Sequence, residues 1–220
     1  MAQSFLSPTV LLFLPLLVLW PQGAAIAQIV PDNTLPGENS VVSPGAETGI
    51  RPNVVIEGGA QRDTTLFHSF ERFNVNPGQQ VRFSNSSLVE RIFSRVTGGQ
   101  VSRINGLLGV NGLADLFFLN PNGVIFGPNV ELDVSGSFVV MTGDRILFNN
   151  GIQFSAVNPE APPLLTITSP IGVQFGATPQ PIQVNGALID GRPGDSFIGI
   201  GGNVTLDDTT IRMPGGQIIL

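Results

Sequence analysis

His68 and Ser69 stand side by side in "LFHSFERFNV" (Leu66 to Val75), and a histidine next to a serine is the raw material of a base-activated nucleophile. The run around them is aromatic and apolar, as a strand would be. Neighbouring strand residues point to opposite faces, so His68 is not placed to activate Ser69, and both are expected to be structural. Asp207-Asp208 is the one adjacent carboxylate pair. Two clustered carboxylates could serve a polysaccharide-acting enzyme or hold Ca²⁺. Alternation separates this pair as well, and a solvated turn or strand edge is expected. Gly199-Ile200-Gly201-Gly202 lacks the later glycine and the following helix of a dinucleotide loop.

The remaining inventory excludes more. One His and no Cys rule out the usual zinc sites. All ten basic residues are Arg, and without Lys there is neither a P-loop nor a Schiff base. A net charge of −6 offers no footprint for nucleic acid, and no cofactor is expected. The chain does not read as an enzyme.

The elements that position these residues are short. Gly (27) and Pro (18) work against long helices in a 220-residue chain that is 42% hydrophobic and only 12% charged. Apolar runs of three to six residues, each closed by Gly, Asn or Pro, recur from Val54 onward. Examples are Val54-Val55-Ile56, Val81-Arg82-Phe83, Leu116 to Leu119, Val124-Ile125-Phe126, Phe138 to Met141 and Val204-Thr205-Leu206. They read as strands. Asn-Gly pairs at Asn105, Asn111, Asn122, Asn150 and Asn185 mark sharp corners. An all-β fold follows, either an antiparallel sandwich or a parallel β-helix. The echo of Gly-Gly-x-Val/Ile at Gly98, Gly201 and Gly215 favours the β-helix. Phe117, Leu119, Ile125 and Phe138 would then stack on like residues one coil away. At about 20 to 25 residues per coil, roughly eight coils and a rod near 40 Å are expected. Gly215 to Leu220 reads as a strand without a polar cap, a stop in mid-solenoid.

At the N-terminus, Val10 to Trp20 (VLLFLPLLVLW) is too short to span a bilayer as a helix. Ala25-Ile26-Ala27 supplies an A-x-A cleavage pattern, and a secretory signal peptide over residues 1–27 is expected, with the mature chain starting near Gln28. A Pro/Asn/Gly-rich lead-in or cap, 28–53, follows. An exported chain without Cys must be held by burial and backbone hydrogen bonds alone.

Four stretches carry a resemblance: "LFHSFERFNV", "IFSRVTGGQVSRINGLL" (Ile92 to Leu108), "NGLADLFFLNPNGVIFGPNVELDVSGSF" (Asn111 to Phe138) and "FSAVNPEAPPLLTITSPIGVQFG" (Phe154 to Gly176). In this order they resemble the N-terminal secretion domain of filamentous haemagglutinin-type exoproteins, especially the cyanobacterial branch. The resemblance covers most of 54–176, and 177–220 looks like continuing coils at the start of a repetitive passenger region.

The resemblance implies a right-handed parallel β-helix and two-partner secretion. The Sec machinery would deliver the chain to the periplasm. Periplasmic domains of an outer-membrane β-barrel transporter would recognise it there, and it would fold at the cell surface. Host or surface glycans would be partners of the passenger. Asn120-Pro121-Asn122-Gly123 matches the family's Asn-Pro-Asn-Gly motif, as a fold corner, a recognition element, or both. His68, Ser69, Phe73, Asn74, Arg95, Gly98, Gly99 and Gly127 fall in matched stretches and are expected to be structural. Where the family has Asn-Pro-Asn-Leu, this chain has Ser84 to Val89 (SNSSLV), and Phe126-Gly127-Pro128-Asn129 stands where many relatives carry two Cys. Arg91, Arg95 and Arg103 form the one local basic cluster, either a solvated face or a contact for acidic transporter surface. A stand-alone structural or adhesive β-helix is the alternative.

Overall fold

The computed structural model describes residues 28–45, 53–162 and 169–220. The expected leader, with Ala25 and Ala27, lies outside them. Each apolar run named above lies within a strand, and the strands stack in parallel into a three-faced solenoid.

The first face carries Thr65–Phe73, Arg91–Val96, Asp115–Leu119, Phe138–Met141, Phe197–Ile200 and Ile218–Ile219 in parallel register. The second carries Ser102–Ile104, Val124–Phe126, Ile182–Asn185 and Val204–Asp207. The third carries Asn53–Gly58, Gln80–Ser84, Leu107–Asn111 and Glu131–Asp133. Leu188–Asp190 and Thr210–Arg212 form a separate parallel pair further along. The sandwich is thereby excluded, since nearly all pairing between coils is parallel.

On the first face the paired positions Leu66, Ile92, Leu116, Phe138, Phe197 and Ile218 recur every 21 to 26 residues, except for 59 between Phe138 and Phe197. Six parallel strands stack there, fewer than the eight coils expected. Two stretches account for the difference. Ile29–Pro31 and Ser40–Pro44 pair antiparallel at the N-terminal end, as a cap. Arg145–Phe148, Gln153–Ser155 and Pro170–Gln174 leave the coil altogether and form an antiparallel side sheet.

The side sheet gives the first face two buried sides. Even-numbered Leu66, Phe70, Ile92, Leu116, Phe118, Phe138 and Val140 fill the solenoid interior, joined by Phe197, where the 59-residue interval has switched the parity. Odd-numbered Phe67, Phe93, Leu119, Val139 and Met141 point outward and are covered by Ile146, Phe148, Phe154 and Ala156 of the side sheet. Burying one such side chain stabilises by about 1.5–3 kcal/mol.

The expected stacking holds in part. Phe117 stacks on Phe93 at 4.4 Å and Phe93 on Phe67 at 5.4 Å, while Phe138 meets Phe197 at 5.9 Å. Leu119 instead neighbours Arg95 and Met141, and Ile125 neighbours Arg103 and Gln183. Ladders of like residues form where aromatic rings gain from overlap, and elsewhere alternation alone is kept.

Candidate functional site

Strand Asp115–Leu119 delivers the Asn-Pro-Asn-Gly motif to the corner between the first and second faces. The Gly123 N–H donates to the Asn120 carbonyl at 3.1 Å, closing a four-residue turn with Pro121 at its second position. Gly123 takes φ +101°, a left-handed conformation that a Cβ would strain. Asn120 is wholly buried. Its amide donates to the Gln100 carbonyl (3.0 Å) and the Ser102 hydroxyl (2.9 Å), and its oxygen accepts the Asn122 N–H (2.9 Å). The Asn122 amide donates to the Gly98 carbonyl at 2.7 Å. Both Asn side chains thus clamp the turn onto the coil before it.

The same preceding corner explains Gly98. A Cβ there would land on the Glu71 carbonyl oxygen of the next coil down, whereas at Gly99 it would meet open space. Gly127 leaves room for the Asn105 side chain, whose oxygen accepts the Asn129 N–H at 2.9 Å. Phe73 lies in the interior, parallel to Phe83 and edge-on to Phe118. The Asn74 oxygen accepts the Arg103 N–H at 2.8 Å, and the Asn74 N–H donates to the Gln28 carbonyl. Ser86 to Val89, where the family's second motif would fall, also makes a turn, closed by the Val89 N–H on the Ser86 carbonyl.

His68 and Ser69 face opposite ways. His68 is fully buried on the interior side, with Nδ1 3.0 Å from the Ser40 hydroxyl and its ring 5.2 Å from Phe83. Burial pushes its pKa down to about 3, so it stays neutral. Ser69 points outward into a polar node around Arg95.

Arg95 corrects the expected basic cluster. It is completely buried, because the odd side of its strand lies under the side sheet. Its Nε donates to Ser69 Oγ (2.8 Å), and its terminal nitrogens donate to the Ser155 and Glu160 carbonyls (2.9 and 3.0 Å) and to Thr34 Oγ1 (2.8 Å). The guanidinium sits 4.3 Å over the Phe154 ring. Burial lowers its pKa to about 10, against the favourable charge of Asp32, and it remains charged at neutral pH. Asp32 accepts from the Ser69, Thr97 and Thr34 hydroxyls and the Thr34 N–H. Burial acts to raise its pKa, but those hydrogen bonds outweigh it and hold the carboxyl below its usual range.

Arg91 reaches Ser169 beyond the side sheet's second strand, and Arg103 is exposed on the second face, so the three arginines share no surface. Asp32 and Thr34 were hidden from sequence reasoning in an aperiodic lead-in. Arg62 belongs with them: it pairs with Glu38 at 2.8 Å and donates to the Pro162 carbonyl.

Beside the turn a cleft of about 730 Å³ opens between the corners of three successive coils and the root of the side sheet. Pro121 and Asn122 form part of its wall. Among the described residues no helix is long and apolar enough to cross a membrane, and no group of three or more His, Cys, Asp or Glu is placed to hold a metal ion. Asp207 ends a strand, Asp208 sits at φ +45°, and both are exposed.

A parallel β-solenoid with an N-terminal cap, a side sheet and a clamped Asn-Pro-Asn-Gly corner places the chain among the parallel β-helix proteins. The TPS secretion domain model matches residues 27–220, and the chain belongs to that family. It is a two-partner secretion domain, and membership implies export across the outer membrane with the help of a transporter of that system.

Two curated relatives from Haemophilus influenzae are named heme/hemopexin-binding protein. One is 31% identical over 91 residues, 41% of this chain and 10% of the relative. The other is 33% identical over 88 residues, 39% of this chain and 9% of the relative. The matched segment thus spans about a tenth of these relatives' length. A solved secretion domain of filamentous hemagglutinin superposes with a TM-score of 0.42 at 15% identity, over 86% of this chain and 96% of that one.

Proposed function

We propose that the secretion domain, residues 54–176, is the part read in the periplasm by the transporter's periplasmic domains, after Sec export and removal of residues 1–27. Reading precedes folding. The observation that carries this is the burial of Asn120, whose amide is fully engaged by Gln100, Ser102 and Asn122 in the folded coil. A partner meeting the folded domain finds that side chain already used. In the extended chain the motif is open and every strand has two free edges, so the transporter can add a strand of its own. Folding at the surface then opposes back-sliding, since each coil buries apolar area at about 25 cal/mol per Å². Residues 177–220 continue the solenoid toward a passenger, and host or surface glycans would be partners of that passenger.

The test is capture by isolated periplasmic domains of the cognate transporter. Chain diluted from urea is expected to bind and chain folded beforehand is not. Equal capture of both would contradict reading before folding.

A further inference from the structure

The cleft beside the turn has a composition that defines a ligand. Thr97, Gly98, Gly99 and Val101 line it from one coil, Pro121 and Asn122 from the next, and Thr178 and Gln180 from the third. Asp144, Ala156, Val157, Gly176 and Ala177 at the root of the side sheet form the facing wall. Among the described residues that line it, Asp144 is the one that carries a charge. Its carboxylate lies against Gly176, where a Cβ would come within 2.8 Å of Oδ2, and it takes no hydrogen bond or ion pair from any described residue. The backbone of Asp144 is fixed by pairing with Gln174 and Ala156, so the carboxylate is held by its strand while remaining open.

We propose that this cleft binds an extended peptide segment carrying one arginine or lysine, whose cationic head pairs with Asp144. Three observations lead there. Three stacked corners give about 10 Å of length at 4.8 Å per coil, room for three or four extended residues. Gly98, Gly99, Gly176 and Ala177 keep the walls low enough for a backbone to approach. Thr178 and Gln180 each offer both a donor and an acceptor, and the Asn122 side-chain oxygen adds an acceptor, which is what a peptide backbone requires. Among the described residues no aromatic side chain lines the cleft to receive the apolar face of a sugar ring. A net charge of −6 also draws basic partners toward the chain. The site belongs to the folded, exported domain and does not depend on how the transporter reads the unfolded one.

Titration of the isotopically labelled folded chain with acetylated, amidated pentapeptides centred on Arg or Glu tests this by NMR. The Arg peptide is expected to give saturable shifts confined to Thr97–Val101, Asn122 and Gly176–Gln180, and the Glu peptide none. Asp144→Asn, with its melting temperature as a folding control, should weaken Arg-peptide binding at least fivefold. Asp144→Arg should transfer preference to the Glu peptide. Should both Asp144 variants unfold, Thr178→Val serves instead, with a twofold or greater loss expected. Shifts spread over the acidic surface, or unchanged binding by the folded variants, would overturn the proposal. So would shifts at this cleft from a chitin or maltose oligomer but not from the Arg peptide, which would make it a sugar site.

Discussion

Arg95 donates to the carbonyl of Glu160, 65 residues further along the chain, at 3.0 Å and from a position with no solvent exposure. The same guanidinium holds Thr34 of the cap and Ser69 of the neighbouring coil. One side chain therefore joins three segments that the sequence keeps far apart: cap, solenoid and side sheet.

Replacing Arg95 by Met is expected to cost about 3 kcal/mol, because two backbone carbonyls and the Ser69 and Thr34 hydroxyls lose a charged donor under cover and Asp32 loses a nearby positive charge. Arg95→Lys is expected to recover less than half of this, since an ammonium cannot reach four acceptors in the guanidinium's planar spread. Urea unfolding checks both. A loss below 1 kcal/mol for Arg95→Met would show that the node adds little.

Gly98 and Gly99 are adjacent yet should respond oppositely to alanine. Gly98→Ala drives a methyl into the Glu71 carbonyl and should cost about 1–3 kcal/mol, while Gly99→Ala should stay within about 0.5 kcal/mol. Paired thermal melts decide this, and equal effects would contradict the coil contact at Gly98.

The sequence made the solenoid's rhythm legible because corner chemistry and strand chemistry both repeat. Phe138 to Met141 and Val124 to Phe126 were delimited to the residue. Of the five Asn-Gly corners, Gly112, Gly123, Gly151 and Gly186 take positive φ, and Gly106 is used instead for close approach to the Asn76 and Gln79 carbonyls. The side sheet and the Arg95 node were not legible. A run such as Arg145–Phe148 alternates like any coil strand, and only tertiary packing reveals that it pairs outside the stack. Arg95 looks solvated for the same reason, since a local pattern cannot show that an outer face is covered.

His68, the one histidine in the chain, makes a pH prediction clean. It is neutral when folded, with a pKa near 3, and takes up a proton near 6.5 when unfolded. Stability is therefore fully present above pH 6.5 and falls as pH drops from 6.5 toward 3. The slope from this residue is about 1.4 kcal/mol per pH unit. In His68→Gln that slope between pH 6 and 5 should disappear, whatever the absolute stability of the variant. Identical slopes for both chains would contradict a buried neutral His68.

Asn120→Ala removes four hydrogen bonds in a buried corner and should cost about 2 kcal/mol, and Asn122→Ala about 1 kcal/mol. If the motif is read in the extended chain, secretion should fall further than these stabilities imply, and Ser102→Ala, which loosens the same corner without touching the motif, should secrete normally. Secretion that tracks stability alone across all three variants would leave the motif as a fold corner only.

Transporter-dependent export is read directly from secretion of the tagged chain with and without its cognate two-partner transporter. Chain is expected in the medium only when the transporter is present, with accumulation or degradation in the periplasm when it is absent. Equal release in both cases would contradict transporter-dependent export and leave a stand-alone secreted β-helix.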